Sequence, residues 1–141
     1  MARASWLSWL PLAALAGCLA PGYSPYPLDL DQDLPADAFA RCRDVLLRRF
    51  DVLTRSDPSA FQLQTGWAPS QDPPGERRAS VYRDPGRGRS LAVVVELRRL
   101  STPILGWPRW TEPRGDAASE RVLAAALREA LQDPERIGFT P

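Results

Sequence analysis

The sequence predicts an α+β fold: a four-stranded antiparallel sheet with two helices on one face, in the order α-β-β-β-β-α. Three observations carry this expectation. Two segments, one beginning at Pro35 and one following Asp116, repeat apolar residues at spacings of three and four, as helices with one buried stripe do. Between them lie runs that alternate apolar and polar residues or are rich in valine, as half-buried strands are. Turn-forming clusters separate those runs.

The first helix is expected from Pro35, a residue favoured in a first helical turn, to about Arg49. Asp37 lies near its positive end. Phe39, Cys42, Leu46 and Phe50 mark its inner stripe, with Ala38 and Val45 beside them. Ser56-Asp57-Pro58-Ser59 then signals a turn between a short strand at Phe50–Thr54 and a second at Phe61–Trp67. In the second strand Phe61, Leu63, Thr65 and Trp67 share one face, and Gln62 and Gln64 the other. Ala68–Gly75 holds three prolines and is expected to be a loop. Glu76–Arg83 is a third strand, with Ala79 and Val81 facing in and Arg78, Ser80 and Tyr82 facing out. Asp84–Gly88 is a hairpin turn before the strongest strand, in which Leu91, Val93, Val95 and Leu97 face the core. Ser101–Gly115 is a loop rich in proline and tryptophan. Asp116 is placed to cap a helix whose stripe is Val122, Leu123, Ala126, Leu127, Ala130 and Leu131, ending before Pro134.

Composition bounds the chemistry. The chain has 141 residues, a length suited to one domain, and a net charge of +1, so no bulk field draws it to nucleic acid. It contains no histidine, which excludes Ser-His-Asp and Cys-His catalysis, histidine metal ligation and histidine pH switching. Two cysteines are too few for a zinc-finger-like site. Cys42 lies on the apolar side of the first helix and is expected to be a small buried hydrophobe.

Met1–Gly17, MARASWLSWLPLAALAG, has a short positive end at Arg3 and an apolar stretch over Trp6–Ala16. About 11 such residues fall short of a ~30 Å hydrocarbon core, so the layout is that of a secretory signal. Leu15-Ala16-Gly17-Cys18 resembles the lipobox of bacterial lipoprotein precursors, in which small residues admit a peptidase before the cysteine. The resemblance covers about 20 residues, and the n-region departs from the usual pattern in carrying only one arginine. It implies cleavage between Gly17 and Cys18, and a diacylglycerol and an amide-linked acyl chain on Cys18. Multiple chains give stable anchoring where one does not. Leu19, rather than aspartate, after the cysteine implies sorting to the outer membrane, facing the periplasm. Cleavage would take Arg3 with it and leave 17 arginines against 17 acids, so anchoring would rest on acyl chains rather than on bulk charge. The domain boundaries expected are thus 1–17 for the signal, 18–34 for a flexible tether rich in Pro and Gly, and 35–141 for one α+β domain.

The layout of helix, strands and acidic turn resembles the helix-grip domains of envelope lipoproteins, over about 95 residues and without a specific motif. Other constellations are weaker. Asp29, Asp31 and Asp33 form a D-x-D-x-D run that lacks the glycine and distal glutamate of a calcium loop. Gly86 and Gly88 with Arg87 and Arg89 precede a strand rather than a helix, unlike a phosphate cradle. Glu112, Asp116 and Glu120 surround a helix start and suit capping. Trp107, Arg109 and Trp110 carry the most information. Either this loop folds back to cap the core, or it forms a recognition surface or an interfacial foot, since Trp and Arg are enriched at both. The expected function is therefore a non-enzymatic envelope lipoprotein, without cofactor, metal or nucleic-acid partner. It would be held to the bilayer through Cys18 and would bind a protein or glycan, or support envelope assembly. A carrier of an amphiphile lodged between helices and sheet is the alternative. A small hydrolase using two converging carboxylates is a further one.

Overall fold

A computed structural model describes residues 24–87 and 90–132. In chain order the elements are β1 (Tyr26–Leu28), α1 (Ala38–Leu47), β2 (Leu53–Asp57), β3 (Gln62–Thr65), β4 (Ala68–Gln71), β5 (Pro74–Arg83), β6 (Leu91–Arg98), β7 (Leu100–Ser101), β8 (Arg109–Trp110), β9 (Arg114–Gly115) and α2 (Ala117–Gln132). The class is α+β with an antiparallel sheet, but the sheet has seven strands instead of the expected four. Its order is β1-β6-β5-β3-β2, with β4 also on β5 and β9 also on β6. The four expected strands are the central meander β2-β3-β5-β6. The additions are strands of two to four residues, too short to leave a periodic signal in sequence.

β1 corrects the expected tether. Tyr26, Pro27 and Leu28 pair with Val93, Ala92 and Leu91 of β6. Leu28 is fully buried and Leu30 nearly so. Pro27 hid this strand, yet proline is tolerated on an edge, where its missing N–H costs no ladder bond. The folded unit thus begins about ten residues earlier than Pro35. Residues 18–23 of the expected tether, the signal segment 1–17, Gly88, Arg89 and the C-terminal stretch after Gln132 lie outside the described residues.

β2 runs to Asp57, further than expected, because its carboxylate closes the turn. Oδ1 accepts from the Ser59 and Ala60 N–H groups at 3.0 and 3.2 Å and from the Ser59 hydroxyl at 2.6 Å. These bonds, the Ser59 hydroxyl first, hold the Asp57 carboxyl below its usual pKa. Phe61 then adopts φ 47°, unusual for a bulky residue, and is held there by burial and an edge-on contact with Phe39 of α1.

One continuous core lies between sheet and helices. Leu63, Ala79, Val81, Leu91, Val93 and Val95 from the sheet meet Ala38, Cys42, Val45 and Leu46 of α1 and Leu123, Ala124, Leu127 and Leu131 of α2. Each fully buried leucine contributes on the order of 1.5–3 kcal/mol by removal from water. Val122, expected in the α2 stripe, is exposed instead, and Glu120 is buried in that helix.

Glu120 is buried because β6 has a gap in its outer edge. β1 covers Leu91–Val93 and β9 covers Glu96 and Leu97. Between them the Val95 N–H donates to Glu120 Oε1 at 2.9 Å, and the Val95 carbonyl accepts from the Asp116 N–H at 2.7 Å. The start of α2 therefore completes the ladder where strand pairing stops. Asp116 caps the helix as expected, accepting from the Ser119 N–H and hydroxyl, and pairs with Arg77 at 2.8 Å.

Candidate functional site

The tryptophan-rich segment forms a two-stranded ribbon that prolongs β6. Glu96 and Leu97 pair with Gly115 and Arg114, then Leu100 and Ser101 pair with Trp110 and Arg109. Between these registers Arg98 and Arg99 oppose three residues, Thr111–Pro113, so one extra residue bulges there. The Arg99 N–H donates to the Thr111 hydroxyl, and the Thr111 N–H to the Arg99 carbonyl. The ribbon leaves the sheet at Arg98, beside Gly75. Gly75 has φ +150°, and a Cβ there would collide with the Arg98 carbonyl, so no other residue fits without a backbone shift.

The tip of the ribbon faces water. Ile104 is 102% exposed, Leu105 91% and Trp107 89%. Trp107 and Trp110 thus do not cap the core. Gly106, at φ +126°, supplies the turn that splays these side chains outward. An open groove of about 1070 Å³ runs along the ribbon, with Arg99, Arg109 and Arg114 in its wall beside one acid, Glu112. Among the described residues, no carboxylate lies within ion-pairing distance of those three arginines.

The base of the ribbon is fastened to the open face of the sheet. The Arg98 guanidinium lies 4.2 Å from the centre of the Trp67 ring and 4.5 Å from that of Trp110. Arg78 lies 4.6 Å from the Trp67 centre. Glu76 accepts from Arg98 at 2.6 Å, and Glu96 from Arg78 at 2.7 Å. Trp67 was expected on the core face, with Phe61, Leu63 and Thr65. Gln64 pairs with Ser80 and Ala68 with Arg77, so the β3–β4 side carries one residue more than β5. This bulge at Gly66–Trp67 turns the indole to the opposite face. Thr65, at the bulge, is buried and accepts from the Ala79 N–H through its hydroxyl.

Each open-face carboxylate, Glu76 and Glu96, is tied to a guanidinium, whereas the hydrolase alternative needs two free carboxylates in one cleft. Asp29 of the D-x-D-x-D run accepts from the Ser90 hydroxyl and pairs with Arg87. Among the described residues no three potential ligands converge as for a metal ion. Burial pushes the Cys42 thiol up to about 12, so it is inert near neutrality. A second groove, of about 540 Å³, opens at one end of the helix–sheet interface. Arg49, Asp72 and Arg77 line it with Phe50, Val122 and Leu123, a mixed wall unlike the apolar chamber an amphiphile carrier needs.

Of the residues singled out in sequence, the structure brings Trp107, Arg109 and Trp110 onto one ribbon. Gly17 and Cys18 lie outside the described residues. Sequence reasoning missed Trp67 as part of the surface; Ile104 and Leu105 lie in the loop it singled out, and Arg98 on the sheet face it left open to water. The signal for Ile104 and Leu105 was present, since two large apolar residues between Pro103 and Gly106 cannot share a core stripe. No described helix is long and apolar enough to cross a membrane. No family model and no curated protein matches the chain.

Proposed function

We propose that this protein is a lipid-anchored component of a bacterial envelope. It has no catalytic role, and its domain holds a docking ribbon close to the membrane. The lipobox-like Leu15-Ala16-Gly17-Cys18 supports the anchor. The observation that carries the docking role is the ribbon tip, where Ile104, Leu105 and Trp107 stand in water on a ribbon whose Arg99, Arg109 and Arg114 have no carboxylate partner among the described residues. Apolar side chains of this size are costly to leave exposed unless something covers them in use. The layout shared with helix-grip domains of envelope lipoproteins adds an analogy, which bears on architecture more than on partner. After Cys18, the short linker to β1 keeps the domain near the surface, on the outer membrane by the identity of Leu19.

The reading is tested in cells fed an alkyne analogue of palmitate. The parent chain is expected to take up label in the membrane fraction, and Cys18→Ser to take up none. A parent chain that takes up no label would remove the anchor.

A further inference from the structure

We propose that the β7–β8 tip is a membrane foot, seating Ile104, Leu105 and Trp107 among anionic lipid headgroups that Arg109 neutralises, with Arg99 and Arg114 further back on the same ribbon. This rests on the lipid-anchored reading above and names what the ribbon meets.

Topology points the described N-terminal end of the chain, at Ser24 and Pro25, toward the end of β6 from which the ribbon departs. β1 runs antiparallel to β6, with Tyr26 beside Val93 and Leu28 beside Leu91. The chain upstream of Tyr26 therefore heads toward the Arg98 end of β6, where the ribbon departs. It cannot stay on the sheet, because Asp116 and β9 occupy the β6 edge from Val95 onward. Eight residue steps separate Cys18 from Tyr26, a reach of at most about 28 Å. The six residue steps from Arg98 to Ile104 let the ribbon reach at most about 20 Å beyond the sheet. These lengths are of the same order, so the linker is long enough for a bilayer that holds Cys18 to meet the tip.

The chemistry of the tip matches that depth. Tryptophan seats its ring at the headgroup level, with aliphatic neighbours just below. Cations flanking such a tip meet lipid phosphates, and each is worth about fivefold in membrane partitioning on an anionic surface. The whole chain has a net charge of only +1, so the cation cluster is a local feature of the ribbon. Trp67, Arg98 and Arg78 are already engaged with one another and stiffen the ribbon base, which lets the tip bear on a surface. The committed indole of Trp67 and the excess of arginines over the one acid, Glu112, in the ribbon groove favour headgroups over a basic protein partner.

The test uses the membrane-extracted protein, reconstituted into vesicles of phosphatidylglycerol and phosphatidylcholine at a ratio of about 1:3. Leu105→Cys carries an environment-sensitive bimane, and Cys42 is too buried to compete for it. Ala60→Cys, in the turn at the opposite end of the sheet, serves as control. Bimane at 105 is expected to shift to the blue and to be quenched by headgroup-proximal doxyl lipid, while bimane at 60 does neither. Replacing Arg109 by serine is expected to lower the shielded-to-free ratio about fivefold, and adding serine at Arg99 and Arg114, further from the tip, to lower it by less than that again for each. Flotation and acyl-chain mass are read on the same sample. Flotation with acylated Cys18 but a solvated label at 105 overturns the foot and keeps the anchor. A shielded label on an unacylated chain keeps the foot and removes the anchor. Shielding that appears only when envelope proteins are added, or that survives the triple serine variant undiminished, overturns the proposal.

Discussion

Leu28→Ala separates a folded edge strand from a tether more sharply than any other substitution. Leu28 is fully buried, packed in the core that joins α1, α2 and the sheet. Truncation to alanine removes the equivalent of about three methylene groups, roughly 2.4 kcal/mol of transfer free energy at about 0.8 kcal/mol each. The cavity left behind adds to this, so the total is expected at about 3–4 kcal/mol. For a domain of this size 1 kcal/mol moves the thermal midpoint by roughly 4–8 °C, so Tm should fall by more than about 10 °C. The assay is near-ultraviolet circular dichroism on a Cys18→Ser background, which leaves acyl chains out of the measurement. Asp31→Ala, an exposed site three residues on, is the control and should stay within about 0.5 kcal/mol. A Leu28→Ala midpoint within about 3 °C of the parent would refute the strand and restore the solvated tether.

Further predictions follow from the open face, the α2 start and the core. Trp67→Leu and Arg78→Met should be non-additive in denaturant unfolding, with a coupling of about 0.5–1 kcal/mol from the cation–π contact; additivity within about 0.3 kcal/mol would count against the fastened ribbon. Glu120 has a raised pKa because burial disfavours its charged form, partly offset by the Val95 N–H. Its ionisation therefore costs stability as pH rises from its ordinary value of about 4.5 through the folded value, and the loss is complete above that. Glu120→Gln keeps an acceptor for Val95, so its stability relative to the parent should climb over that window and then level off. Glu120→Leu should instead lose about 1–3 kcal/mol, having stranded a buried N–H. Asp116 acts in the opposite sense. Burial pushes it up, but Ser119 and Arg77 together hold it below the usual range, so its contribution fades as pH falls. Native Cys42 should resist alkylation at pH 8 and react fully once the chain is unfolded, as read by intact mass.

The helices, β5 and β6 were legible because their signals are periodic over eight residues or more, and the shorter β2 and β3 because a clear turn signal at Ser56–Ser59 lies between them. Leu91, Val93 and Val95 share a face in sequence and in the core. β1, β4 and β9 were not legible, since strands of two to four residues are specified by what they lie beside. Pro27 and Pro69 read as loop signals in isolation, yet both sit on strands. Trp67 shows a second limit. Strict alternation assigned it to the core, and one inserted residue at Gly66 reversed it, a register event that no local pattern records. Glu120 shows a third, because a carboxylate in a first helical turn suits the helix dipole whether or not it also bonds a strand. The ribbon surface was half legible. Trp107, Arg109 and Trp110 stood out by composition, but Arg98, which stacks on Trp110, and Trp67, which stacks on Arg98, lie outside that loop.

The anchor is the claim on which the membrane-side role of this domain depends, and intact-mass analysis of the protein extracted from envelopes measures it directly. The account predicts a mature chain beginning at Cys18 and heavier than its polypeptide by a diacylglyceryl group and one further acyl chain. A chain that begins at any other residue, or one that begins at Cys18 with a free thiol, would contradict it.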